Sequence, residues 1–304
     1  MRRFVLVPTP PFRLDLTAWA LRRRASNEID RWDGEAYRRV LVVGGAPLEV
    51  EVRQRGDAAA ARLEVGVRGE ARAARRAATA ALERLLGVRV DLGAFYGAAA
   101  RDRRLGSLAA RFRGVKPPRF PTLFETLANA IACQQVTLAL GIVLLDRLAQ
   151  ACGLASPAHG SRACAFPRPE DVLALKCVRM RRLGFSRQKV QALRELAQAA
   201  AVGGLEERAL AALDDRAALE HLRALRGVGR WSAEYALLRG LGRLHVFPGD
   251  DVGARKHLER WLGLRKPLDY AGVERALGRW RRYKGLVYFH LLLKRLADEG
   301  TLPA

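Results

Sequence analysis

Two acids in a row after a proline-glycine turn, in His245-Val-Phe-Pro-Gly-Asp-Asp-Val252, are the residues of this chain best placed to do chemistry. Proline stiffens one side of such a turn and glycine frees the other, so Asp250 and Asp251 are delivered together to the start of a helix. There the free N–H groups and the helix dipole favour a charged carboxylate. One acid is enough for a cap. The second can stabilise a developing cation or orient a water. A plain N-cap role for either residue is the alternative.

Upstream lies Leu225-Arg-Gly-Val-Gly-Arg-Trp-Ser-Ala-Glu-Tyr235. Two glycines flanking one apolar residue bend the backbone sharply and let phosphate oxygens approach its amides. The helix that begins next aims its unpaired N–H groups at the same anion. Val228 can plug the helix pair, Arg226 and Arg230 bracket the turn, and Ser232 with Ala233 keep the following turn slim. Gly227, Val228, Gly229 and Arg230 are therefore expected to form a phosphate-binding hairpin, although an ordinary corner between two helices would use the same glycines. Trp231 and Tyr235 stand four apart on one helix face, as a pocket wall or as core packing.

The elements that must carry these residues are mostly helical. Periodicity predicts helices over Leu123 to Leu148, Pro169 to Lys176, Ser186 to Ala201, Asp214 to Ala224, Trp231 to Arg239, Val252 to Leu262, Tyr270 to Leu277 and Lys284 to Leu296. Before residue 95 the pattern differs. Alternation in Arg39–Val43, Pro47–Arg53 and Arg62–Val67 predicts short antiparallel strands, flanked by helices over Leu16 to Arg24 and Glu70 to Leu86. The expected architecture is a small N-terminal α+β domain over 1–95, then an all-α region over 96–304 of many short helices.

Composition narrows the partner. Lys and Arg number 54 against 31 Asp and Glu, a net charge of +23 with Arg in large majority. A genome rich in Arg codons accounts for part of the Arg count, not for the excess over acids. A polyanion is the expected partner, since the planar guanidinium suits phosphate oxygens. No run approaches a membrane span and the start of the chain lacks the marks of a signal peptide, so a cytosolic protein is expected. The four cysteines form no CxxC pair and the five histidines show no ligand spacing, so no metal site is expected. Cys133 and Cys177 read as buried fillers, and the histidines as structural or surface residues.

Taken together, LFETLANAIACQQVTLA, LRGVGRWSAEYALLRG and HVFPGDDVGARKHL, in that order and spacing, resemble the helix–hairpin–helix base-excision glycosylases of the 3-methyladenine DNA glycosylase II type. The resemblance extends weakly to both ends of the chain and implies that the region over 96–304 is a two-lobed helical bundle, two helical subdomains with a cleft between them. It implies that the partner is duplex DNA holding a damaged base, which is flipped out and stacked among aromatic rings while its N-glycosidic bond is broken. By position, Asp251 matches the catalytic aspartate, leaving Asp250 as cap or turn stabiliser. Trp231, Tyr235 and Leu292 match the base pocket, and an electron-rich wall there suits cationic alkylated purines. Some relatives carry a Trp where Leu292 stands. Gln134 and Gln135 match the segment that fills the hole left by the flipped nucleotide, Gln135 being the better placed; the alternative is that they tie a helix end to nearby backbone. Lys189 is expected to hold a flanking phosphate or to lie on a solvated basic face.

The resemblance also implies that the carbonyls of Arg223, Leu225 and Gly227 could bind a structural monovalent cation; no other cofactor is expected. In bifunctional relatives such as endonuclease III, a Lys that attacks the sugar occupies the slot of Trp231, so base removal without strand cleavage is expected, by a monomer. A noncatalytic DNA-binding module and a glycosylase for deaminated or oxidised bases are the competing readings.

Overall fold

The computed structural model describes residues 2–69, 74–158, 160 and 162–302. Its N-terminal part is a five-stranded antiparallel sheet of β1 (Arg2–Leu6), β2 (Arg31–Trp32), β3 (Ala36–Val43), β4 (Ala46–Arg55) and β5 (Arg62–Arg68). The strands lie in the order β1-β5-β4-β3-β2. The three strands expected from alternation are the three central ones. The pairings Val50 with Val67, Val52 with Val65 and Leu41 with Leu48 join buried apolar side chains across neighbouring strands. Strands β1 and β2 escaped sequence reading, being short and at the sheet edges. Helix α1 (Leu14–Arg22) leaves β1 and α2 (Ala74–Leu85) follows β5. The expected start of α2, at Glu70, lies outside the described residues.

Thirteen α-helices complete the described chain. Helices α3 (Gly93–Ala100) and α4 (Arg103–Arg111) escaped sequence reading, α3 being apolar on every side and α4 a short helix with only Leu105, Leu108 and Ala109 on its buried face. Next come α5 (Leu123–Cys133), α6 (Leu138–Cys152), α7 (Pro169–Ala174), α8 (Cys177–Arg182), α9 (Arg187–Ala201), α10 (Glu207–Ala212) and α11 (Asp215–Arg223). After the hairpin follow α12 (Arg230–Arg239), α13 (Val252–Leu262), α14 (Tyr270–Ala276) and α15 (Lys284–Asp298), with a 3-10 turn at Gly278–Tyr283. The single helix expected over Leu123 to Leu148 is in fact two. Gln135 takes a left-handed φ of 53°, and Thr137 caps α6 by accepting a hydrogen bond from the Leu140 amide.

Three large apolar clusters, and a small one of Val40, Ala163 and Ala165, divide the interior of the described residues. One joins the sheet to α2 and one face of α1 and includes Tyr235. A second gathers α5 to α12. The third packs α3, α4, α13, α14 and α15 against Leu16, Trp19 and Ala20 on the other face of α1. The fold is thus mostly helical and two-lobed, with an antiparallel sheet before it. Helix α1 is shared between the sheet and the second lobe, so its C-terminal end reaches the seam between lobes.

Candidate active site

The hairpin lies between α11 and α12. Gly227 has φ +77°, and a Cβ there would sit 2.7 Å from that of Ala192, so both conformation and space demand glycine. At Gly229 neither constraint applies: a Cβ would meet nothing within 4 Å. That open space lies at the N-cap of α12, where an anion can approach the helix amides. Val228 is buried in the apolar cluster of the first lobe, as its plug role requires. Gln134 secures the turn from outside, its Nε2 donating to the Gly227 carbonyl at 2.7 Å and to Ser232 Oγ at 2.8 Å. Of the two glutamines, then, 134 ties backbone and 135 stands exposed with its φ of 53° at the tip of the α5–α6 turn.

Two expected phosphate contacts are differently engaged. Lys189 Nζ donates at 2.7 Å to the carbonyl of Ala132, in the last turn of α5, so it secures the base of that turn. Arg230 donates to Asp250 Oδ2 at 2.6 Å, with its guanidinium 3.8 Å from the Tyr270 ring centroid. Of the carbonyls considered for a cation, Leu225 accepts from the Val228 amide and Gly227 from Gln134. Each keeps one lone pair, which fits a weakly held monovalent ion.

The Pro248-Gly249-Asp250-Asp251 turn is fixed by α12 and Tyr270. Glu234 Oε2 accepts from the Gly249 amide at 3.1 Å and its Oε1 from the Tyr270 hydroxyl at 2.6 Å. A Cβ on Gly249 would lie 2.8 Å from the Tyr270 ring, so only glycine lets the turn press against it. The roles expected of the two acids also change. Asp251, not Asp250, caps α13: its Oδ1 accepts from the Ala254 amide at 2.9 Å. Its other oxygen accepts from the Tyr288 hydroxyl at 3.2 Å. Asp250 is the partner of Arg230.

Burial raises the carboxyl of Glu234 to about 7, against the opposing hydrogen bonds from Tyr270 and Gly249. A raised acid binds its proton more tightly when folded, so its contribution to stability is lost as pH rises from about 4.5 through 7. Asp146, raised to about 7, adds the same sign, whereas His257 and His290, lowered to about 4, oppose it below 6.5. Whole-protein melting therefore masks Glu234. The difference between Glu234→Gln and the parent isolates it: melting temperatures should agree near pH 5 and favour Gln above pH 8. Parallel curves would remove Glu234 from this role.

Asp251 faces a cavity of about 290 Å³ at the seam, near the lower end of pocket sizes that enclose small ligands. Trp231 and Tyr235 line it with ring centroids 5.7 Å apart, and Leu292 and Tyr288 face it from α15. The site therefore gathers Asp251, Trp231, Tyr235 and Leu292 around one space. Three cations also line it that sequence reading missed: Arg23 and Arg24 from the end of α1, and Arg295 from α15. Arg23 is buried, donating to the Tyr235 hydroxyl at 3.1 Å and to Asn129 Oδ1 at 2.6 Å. The run Arg22-Arg-Arg24 at a helix end was the available signal. Cys133 and His257, read as filler and structural or surface residue, line the cavity too, while Cys177 is exposed.

Comparison with known families gives a match of residues 128–282 to the HhH-GPD superfamily base excision DNA repair protein family. The chain belongs to that superfamily. A DNA-3-methyladenine glycosylase of Bacillus subtilis is 28% identical over 202 residues, 66% of this chain and 66% of the relative. DNA-3-methyladenine glycosylase 2 of Escherichia coli is 30% identical over 187 residues, 62% and 63% of the two chains. The aligned stretch thus spans just under two thirds of these superfamily members. The 3-methyladenine DNA glycosylase structure from Archaeoglobus fulgidus superposes over 99% of this chain and 100% of its own, with a TM-score of 0.84 at 24% identity. That likeness establishes a common fold, N-terminal sheet included.

Proposed function

We propose that this superfamily member is a monofunctional DNA glycosylase of base excision repair. It flips a damaged base out of the duplex and hydrolyses its N-glycosidic bond. The observation that carries the reading is Asp251, held at a helix N-terminus and facing the cavity walled by Trp231 and Tyr235. Its carboxylate stabilises the positive charge that develops on the sugar and orients the incoming water. Water adds its oxygen to the sugar carbon and gives up a proton, and the base departs with the bonding electron pair; a cationic alkylated base thereby leaves neutral, and a neutral one takes up a proton. The substrates are damaged purines: alkylated 3-methyladenine, with 7-methylguanine and ethenoadenine, and deaminated hypoxanthine in the same set. Among the described residues no lysine lines the cavity, and Trp231 fills the slot where a lyase would carry one, so no amine is at hand for a Schiff base. The hairpin amides and the exposed Gln135 hold the duplex, and the net charge of +23 favours its phosphates. The protein acts as a cytosolic monomer on chromosomal DNA; none of its described helices is long and apolar enough to cross a membrane.

The test is a panel of duplexes, each with one damaged base, assayed with and without alkali. Base release should produce strand breaks only after alkali, and binding should weaken steeply with salt. Breaks without alkali would overturn the monofunctional assignment, and tight binding without release would favour the noncatalytic reading.

A further inference from the structure

The expectation that an electron-rich pocket welcomes cationic purines meets a difficulty in the charges around it. Asp251 is the single acid lining the cavity among the described residues, against Arg23, Arg24 and Arg295. Glu299 relieves part of this excess, at 3.4 Å from Arg24 and 3.9 Å from Arg295, but nothing acidic bonds Arg23. Its guanidinium is held by a phenol and an amide, and its Nε has no partner. Arg295 likewise has no hydrogen-bond partner at Nη2 or at Nε, which only reaches Glu299 at 3.9 Å, and Trp231 has none at its Nε1. The unpaired buried groups around this cavity are donors.

Behind the aromatic wall the same imbalance continues. Arg239 is wholly buried with all three guanidinium nitrogens unpaired. It rests among the rings of Phe120, Phe289 and Tyr235, with its charge 5.7 Å from the Tyr235 centroid. A ring already drawn upon by one cation attracts a second less. Leu292, where a further aromatic could stand, adds no π face. Arg23 and Arg239 are buried, and buried like charges repel with little screening.

We propose that Arg23, with Arg295 on the neighbouring helix α15, sets base preference. The pair ranks neutral damaged bases rich in lone pairs, such as hypoxanthine and ethenoadenine, ahead of cationic 3-methyladenine. This rests on the glycosylase reading and orders its substrates. Arg23 reaches the pocket from α1, outside the helices that carry the hairpin and Asp251. Base preference is thereby separated from the groups that break the bond.

Single-turnover release of hypoxanthine and of 3-methyladenine from duplex DNA, each divided by its spontaneous rate, gives two enhancements whose ratio reads the preference. The intact protein should enhance hypoxanthine release more. Arg23→Met should shift the ratio toward 3-methyladenine by about tenfold, and Arg295→Met should shift it the same way. Arg295 makes one ion pair, to Glu299 at 3.9 Å, so its variant keeps the test open if loss of the Arg23 bonds prevents folding. Equal loss of both activities, a ratio moved less than threefold, or a parent that favours 3-methyladenine would each overturn the proposal. A parent that releases no base from any duplex would remove the glycosylase reading itself.

Discussion

Asp251→Asn should leave DNA binding intact and slow base release by roughly 100- to 1000-fold, the cost of losing one well-placed electrostatic contact to a transition state. Geometry makes this substitution informative. Asparagine caps helices about as well as aspartate, so its Oδ1 can still accept from the Ala254 amide. The new amide can face the Tyr288 hydroxyl, which now donates to the carboxylate. What disappears is the negative charge, in a cavity that three arginines also line. Two measurements read the outcome: single-turnover release, and affinity for a duplex with an abasic site. Release within threefold of the parent would exclude Asp251 from the chemistry. Loss of affinity in step with rate would make it a structural cap.

The local parts of this site were legible in the sequence because short-range chemistry dictates them. The two glycines, the Pro-Gly turn and the i, i+4 aromatic pair each have a meaning within about five residues. The assignment of the two acids was not fully legible. Which of Asp250 and Asp251 caps α13 depends on Arg230, which claims Asp250 from twenty residues upstream. Long-range features were hidden for the same reason. Arg23 lies 212 positions from the hydroxyl that it contacts, so no window of sequence joins them. Glu234 sits in plain sight between Trp231 and Tyr235, yet its work depends on Gly249 and Tyr270, brought to it by the fold. The break within the expected 123–148 helix had a readable sign in Thr137, an N-cap residue ahead of an apolar run. The apolar periodicity on both sides of Gln134 and Gln135 concealed it.

Arg39→Met should cost about 3 to 5 kcal/mol of folding stability, the usual penalty for stranding a buried ion-pair partner. Arg39 lies on β3 and is 1% exposed. It donates to Asp30 Oδ1 at 2.7 Å and to both oxygens of Glu125, at 2.5 and 2.7 Å. Tyr37 also donates to Asp30, at 2.7 Å. One cation thus satisfies two buried acids and joins the sheet to α5, the helix that presents Asn129 and Cys133 to the cavity. Burial already raises the Glu125 carboxyl while Arg39 opposes that rise. Without the guanidinium, only the more distant charge of Arg84 opposes burial, and Glu125 keeps its proton to higher pH. The variant should therefore lose more stability at pH 8 than at pH 5, because only the ionised acid is stranded. Denaturant unfolding at both values reads this directly. Adding Glu125→Gln to Arg39→Met should recover part of the loss at pH 8 and little at pH 5. A loss below about 1 kcal/mol, or one independent of pH, would mean that water reaches Asp30 and Glu125 and that packing alone joins sheet to helix.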